Sequence, residues 1–165
     1  MKSNGHYDQS MNGQDGDGFS GIVNDFLTII IAGQRFGIPI LQVQDVLGEQ
    51  RVTRIPLAPP EVAGALNLRG RIVTAIDLRR RLGMEAANNN TGNTKISVVV
   101  THGDELYSLI IDQVGDVMSL QPERMESNPP TLDPMWREIS SGICRLDREL
   151  LVILDVPKLL STIHN

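Results

Sequence analysis

Few side chains here have the type and spacing that chemistry needs. The three histidines, His6, His102 and His164, share no helix face and no metal-ligand spacing. Cys144 is the only cysteine and falls in an apolar stretch, which reads as a buried thiol in a reducing compartment rather than a nucleophile. There is no G-x-S-x-G elbow, no phosphate-cradling G-x-x-x-x-G-K-S/T and no helix-opening G-x-G-x-x-G. Asp77 and Asp155 each stand at a strand end, where an aspartate commonly accepts backbone N–H bonds, so they read as end caps rather than a catalytic carboxylate pair. The chain is therefore expected to be no enzyme, with no catalytic residue, metal or cofactor.

The remaining candidates are suited to binding. Asn67-Leu68-Arg69-Gly70 puts an arginine at a tight turn beside a glycine that can take positive φ, presenting the guanidinium at a loop tip to a carboxylate or to backbone carbonyls. An ordinary turn with a solvated arginine fits the same residues. Val43, Asp45 and Val46 form an apolar and acidic stripe, which by itself reads as an edge of the core more readily than as a docking face. The fragment Asp15-Gly16-Asp17-Gly18 lacks the spaced ligands and closing glutamate of a calcium loop.

The elements that must carry these residues come from a pattern written twice. Phe36 to Val46 aligns without gaps on Tyr107 to Val117 at an offset of 71, and Gly64 to Leu78 aligns on Gly142 to Val156 at an offset of 78. Two ordered matches at nearly equal offsets indicate a duplicated β unit. Arg69-Gly70 becomes Asp147-Arg148 in the second copy, so a function at that turn belongs to one half only.

Residues 1–24 are rich in Gly, Asn, Asp and Ser without apolar period and are expected to form a disordered tail. From Phe26 onward short β-branched runs are bounded by turn residues, as in an all-β chain with short helices. Phe26 to Ala32 and Arg35 to Ile40 suggest a hairpin, Pro59-Pro60-Glu61 a single helical turn, and Leu154 onward a short helix with Pro157 in its first turn. The Asn-rich stretch from Met84 to Thr94 reads as the joint between halves. The expected division is a tail over 1–24 and a domain over 25–165. Within the domain, residues 25–90 with a closing segment from about 155 to 165 form one barrel, and 95–154 form the other.

With 165 residues the chain can bury roughly 70% of its unfolded surface, enough for one domain or two intimately packed halves. No apolar run approaches the ~20 residues of a membrane span and no signal-peptide pattern opens the chain, so a soluble cytoplasmic protein without membrane insertion is expected. Net charge is −5, with twelve arginines and three lysines. An acidic chain of this kind argues against nucleic-acid binding, whereas arginine suits protein contacts.

The order FLTIIIAGQRFGIPILQVQDV, TRIPLAPPEVAGALNLRGRIVTAIDLRRRLG, VVVTHGDELYSLIIDQVGDV and SGICRLDRELLVILDVPKLL resembles the CheW family of chemotaxis coupling proteins over roughly Phe26 to Ile163. The resemblance implies two five-stranded β-barrel subdomains and a scaffold that links chemoreceptors to the histidine kinase CheA, whose regulatory domain is a related double barrel. It also implies that the receptor's cytoplasmic helical tip docks near Arg69, Val43 and Asp45, with Gly64 and Asn67 shaping the approach, at arrays on the inner membrane face. Asp45 replaces the glutamate usual in the family, and Ser108 replaces a glycine. No residue is assigned to the kinase contact. A small-molecule-binding or other protein-binding regulatory β-barrel domain is the alternative.

Overall fold

Runs of Ile, Val and Leu cut by Gly, Asn and Asp become eleven strands in the computed structural model, which describes residues 24–85, 96–161 and 163. The expected tail up to residue 23, with its DGDG fragment, and residues 86–94 of the expected joint lie outside the described residues. In chain order the strands are β1 (Asp25–Ile31), β2 (Gln34–Pro39), β3 (Val43–Leu47), β4 (Val62–Leu68), β5 (Arg71–Asp77), β6 (Ile96–His102), β7 (Glu105–Ile111), β8 (Gln113–Ser119), β9 (Met125–Glu126), β10 (Ser140–Arg145) and β11 (Leu150–Leu154). Among the described residues three short α-helices, α1 (Leu78–Arg81), α2 (Pro134–Glu138) and α3 (Val156–Ser161), accompany the strands.

The strands form two sheets, one of six in the order β8-β1-β2-β11-β10-β9 and one of five in the order β3-β6-β7-β5-β4. The duplication is written into their registers. Phe36 lies opposite Val152 in the six-stranded sheet, and their repeat equivalents Tyr107 and Thr74 lie opposite each other in the five-stranded one. Both pairings are parallel. Likewise Gly64 faces Ala75 and Gly142 faces Ile153, each across a register shift.

This reciprocity corrects the expected division. Each sheet takes its first hairpin from one copy and its remaining strands from the other. The five-stranded sheet is continuous in sequence, from Val43 to Ile111, whereas the six-stranded sheet unites 25–39 with 113–154. Local pattern says where a strand is, but a parallel partner in a distant segment leaves no local mark. The expected barrels are also not closed by strand pairing. In the five-stranded sheet β3 and β4 are the outer strands, and the seam is narrowed by a two-residue bridge, Thr53 to Ala65, with backbone bonds of 2.8 Å each way.

The largest core fills the space between the sheets. Ile29, Phe36, Ile38 and Val152 from one sheet meet Ile76, Val98, Val100 and Leu109 from the other, with Leu78, Leu159 and Leu160 of the helices. The opposite faces hold separate cores. Phe26, Leu120, Cys144, Leu151 and Ile153 cluster on the six-stranded sheet, and the smaller set Leu66, Val73 and Ala75 on the five-stranded one.

Helix ends follow the aspartates. Asp77 Oδ1 accepts from the N–H groups of Arg79 and Arg80 and Asp155 Oδ1 from that of Lys158, satisfying donors that a helix start leaves unpaired. Pro59 to Glu61 forms a turn rather than a helix, closed by the Val62 N–H donating to the Pro59 carbonyl at 3.0 Å. Asn24, assigned to the tail from sequence, accepts a bond from the Leu120 N–H at 2.9 Å and belongs to the domain.

Candidate functional site

The hairpin joining β4 to β5 turns through two residues, Arg69 and Gly70, at φ 52° and 86°. Positive φ at both central positions is the type I′ turn, whose twist matches the flanking strands. Glycine enters this region freely, but arginine does so at a cost, and two bonds offset it. Asn67 Oδ1 accepts from the Gly70 N–H at 2.9 Å, and Arg69 Nη2 donates to Asp45 Oδ2 at 3.1 Å. Asp45 in turn holds its own strand, its Oδ1 accepting from the Val46 N–H at 2.9 Å.

Asp45 lies on β3 and Arg69 beyond β4, so the ion pair spans the open seam of the five-stranded sheet. The Arg69 side chain remains 77% exposed and that of Asp45 32%. At such exposure the pair contributes about 0–1 kcal/mol, little enough for an incoming partner to exchange. Ile72 lies opposite Asn67 in the same hairpin and is 72% exposed. It shares a face with Thr74 and Ile76 and extends the main apolar face past the cover of the other sheet.

The expected site residues therefore divide. Asp45, Asn67 and Arg69 come together. Val43 does not join them, because the β3–β6 register shifts by one between Val43 and Asp45. Strict alternation would put the two on one face, but the extra residue of the bulge reverses the side. Val43 pairs with Val100 and packs against the main core, whereas Asp45 pairs with Val99. Gly64 is buried under the Thr53 bridge at φ 151°, where an added Cβ would collide with the Thr53 carbonyl. Its role is to bring backbones together, as that of Gly142 is beside Glu126.

Sequence reasoning missed a second ion pair. Arg79 of α1 forks onto Asp112 through Nε at 2.9 Å and Nη2 at 2.6 Å, and Asp112 Oδ2 also accepts from the Ala32 N–H at 2.8 Å. Asp112 is the link between β7 and β8, where the chain passes between sheets, so this carboxylate ties both sheets and α1 together. Burial alone would raise its pKa, but the bonds from Arg79 and Ala32 outweigh burial and hold it below the ordinary aspartate value. The available signal was a lone aspartate in an apolar run, where the first copy has Leu41.

Comparison with known proteins agrees with this architecture. A family model described as the CheW-like domain matches residues 25–164. The chain is 33% identical over 138 residues to the chemotaxis protein CheW of Klebsiella aerogenes, covering 84% of this chain and 82% of that one. It is 30% identical over 146 residues to CheW of Treponema pallidum, covering 85% and 86%. The crystal structure of the scaffolding protein TtCheW from Thermoanaerobacter tengcongensis superimposes with a TM-score of 0.70 at 26% identity, over 80% of this chain and 88% of that one. With the family profile spanning both sheets and the same two-sheet fold in a solved relative, the chain belongs to the CheW-like family of chemotaxis adaptors.

Proposed function

We propose that this adaptor couples methyl-accepting chemoreceptors to the histidine kinase CheA without catalysing a reaction, and that its receptor-docking surface is the hairpin tip bearing Arg69 with Asp45, Asn67 and the adjoining Ile72. The observation that supports the assignment most is an arginine held at positive φ by two side chains yet left largely in solvent. A conformation with a backbone cost, at a position that buries little, is better explained by what it presents than by what it stabilises. A receptor's helical tip would offer carboxylates or helix-end carbonyls to the guanidinium and an apolar stripe to Ile72.

The kinase would be engaged through its regulatory domain on a separate surface. The reading places the protein in the cytoplasm, recruited to receptor arrays at the inner membrane face. No helix among the described residues is long and apolar enough to cross a membrane. Co-sedimentation with receptor-bearing membranes, with and without CheA, tests the proposal. The wild type should pellet with receptor, and Arg69→Ala should pellet less while still binding CheA in solution. Equal pelleting of the two would remove the hairpin tip from the interface.

A further inference from the structure

We propose that the hollow side of the five-stranded sheet is a binding site for a small uncharged molecule with an apolar body and one hydrogen-bonding group, received by Ser108. The duplication shows why this side is hollow. At the offsets that relate the copies, Phe26 becomes Ser97, Leu120 becomes Glu49, Leu151 becomes Val73 and Ile153 becomes Ala75. The bulky members are buried against one another on the six-stranded sheet. Their smaller counterparts leave a cavity of about 350 Å³, lined in part by Ser97, Glu49 and Ser108. Other equivalences run the other way, Cys144 to Leu66, Gly37 to Ser108 and Pro39 to Ile110.

The second of these defines the chemistry. At Gly37 a Cβ would meet Ile153 Cδ1 at 3.2 Å and Leu151 Cδ2 at 3.5 Å. At Ser108 the directly paired residue is Ala75, and Val73 stands where the other sheet has Leu151. Ser108 is 1% exposed, lines the cavity, and its hydroxyl has no hydrogen-bond partner. A buried hydroxyl without a partner is unfavourable, so a group that bonds to it is favoured there. Val52, Leu66, Ile96 and Ile110 supply apolar wall. The exposed Glu49 and Arg54 border the cavity with opposite charges, which together give no preference for an ion. The volume lies at the small end of ligand sites, which run from about 300 to 1,000 Å³.

Amide-resolved NMR titration of the full chain with phenol, and with toluene as the near-isosteric probe lacking a hydroxyl, tests the site. Saturable shifts are expected at Ser97, Ser108 and Ile110, with phenol bound about tenfold more tightly than toluene, as one neutral hydrogen bond supplies. Ser108→Ala should abolish that preference while leaving toluene binding in place. Ser97→Phe restores the ring that the other sheet carries and should block both probes. If that variant loses its dispersed spectrum, Val52→Met serves instead, after Met125, which precedes Glu126 beside Gly142 as Val52 precedes Thr53 beside Gly64. Absence of saturable shifts, a phenol preference that survives Ser108→Ala, or binding undiminished in the folded filling variant would overturn the proposal and leave a gap that holds only water.

Discussion

Asp45 and Arg69, on opposite edges of the five-stranded sheet, meet at 3.1 Å. Strand pairing stops short of closing the sheet, and this exposed ion pair crosses the seam. Being largely solvated, it should matter little to stability: a double-mutant cycle of Arg69→Ala and Asp45→Ala on thermal unfolding should give a coupling under about 1 kcal/mol. Receptor docking should respond differently. Loss of a charge-assisted anchor should weaken it by about 2 kcal/mol, roughly thirtyfold. Asp45→Glu should be tolerated better than Asp45→Lys, which places like charges at the turn. Equal receptor affinity of wild type and the lysine variant, read by titration, would exclude Asp45 from the interface.

Ile76 and Leu154 occupy corresponding places in the repeat, and both are fully buried in the core between the sheets. Truncating either to alanine should cost about 2–5 kcal/mol, the transfer term plus the cavity left behind. Chemical denaturation measures this. A loss under 1 kcal/mol at about neutral pH would mean that the surrounding core collapses into the gap.

Gly64 and Gly70 both have positive φ, but for different reasons. An alanine at Gly70 meets nothing within 4 Å, so its penalty is the left-handed backbone alone, about 1 kcal/mol. An alanine at Gly64 also drives its Cβ into the Thr53 carbonyl, and should cost about 3 kcal/mol or more. Melting curves of the two variants should differ accordingly.

Asp112 gives a pH dependence with a definite sign. Its carboxyl is held below the ordinary aspartate value in the folded protein, so the unfolded chain binds the proton first as pH falls. The stabilisation by Arg79 and Ala32 is thus complete at neutral pH and drains away as pH drops below about 4. Asp112→Asn should cost about 1–3 kcal/mol at pH 7. The gap between variant and wild type in urea midpoint should close in acid. A gap that stays constant with pH would show that the carboxylate's charge is immaterial.

What the sequence determined by itself was whatever local chemistry encodes. Strand positions followed from Ile and Val runs between turn residues, and the turn at Arg69-Gly70 from one arginine beside one glycine. The aspartate caps and the repeat were equally readable, because each depends on residues near in sequence or on self-similarity. The tertiary structure alone decided which strands pair. Phe36 with Val152 and Thr74 with Tyr107 are contacts between distant segments, and a strand's own pattern names its buried faces but not its neighbour. It also decided the side on which Asp45 emerges, since one extra residue in β3 reverses alternation beyond it. The hollow beside Ser108 belongs to the same class: a serine opposite a valine reads as an ordinary strand position until the space left by the missing bulk around it is seen.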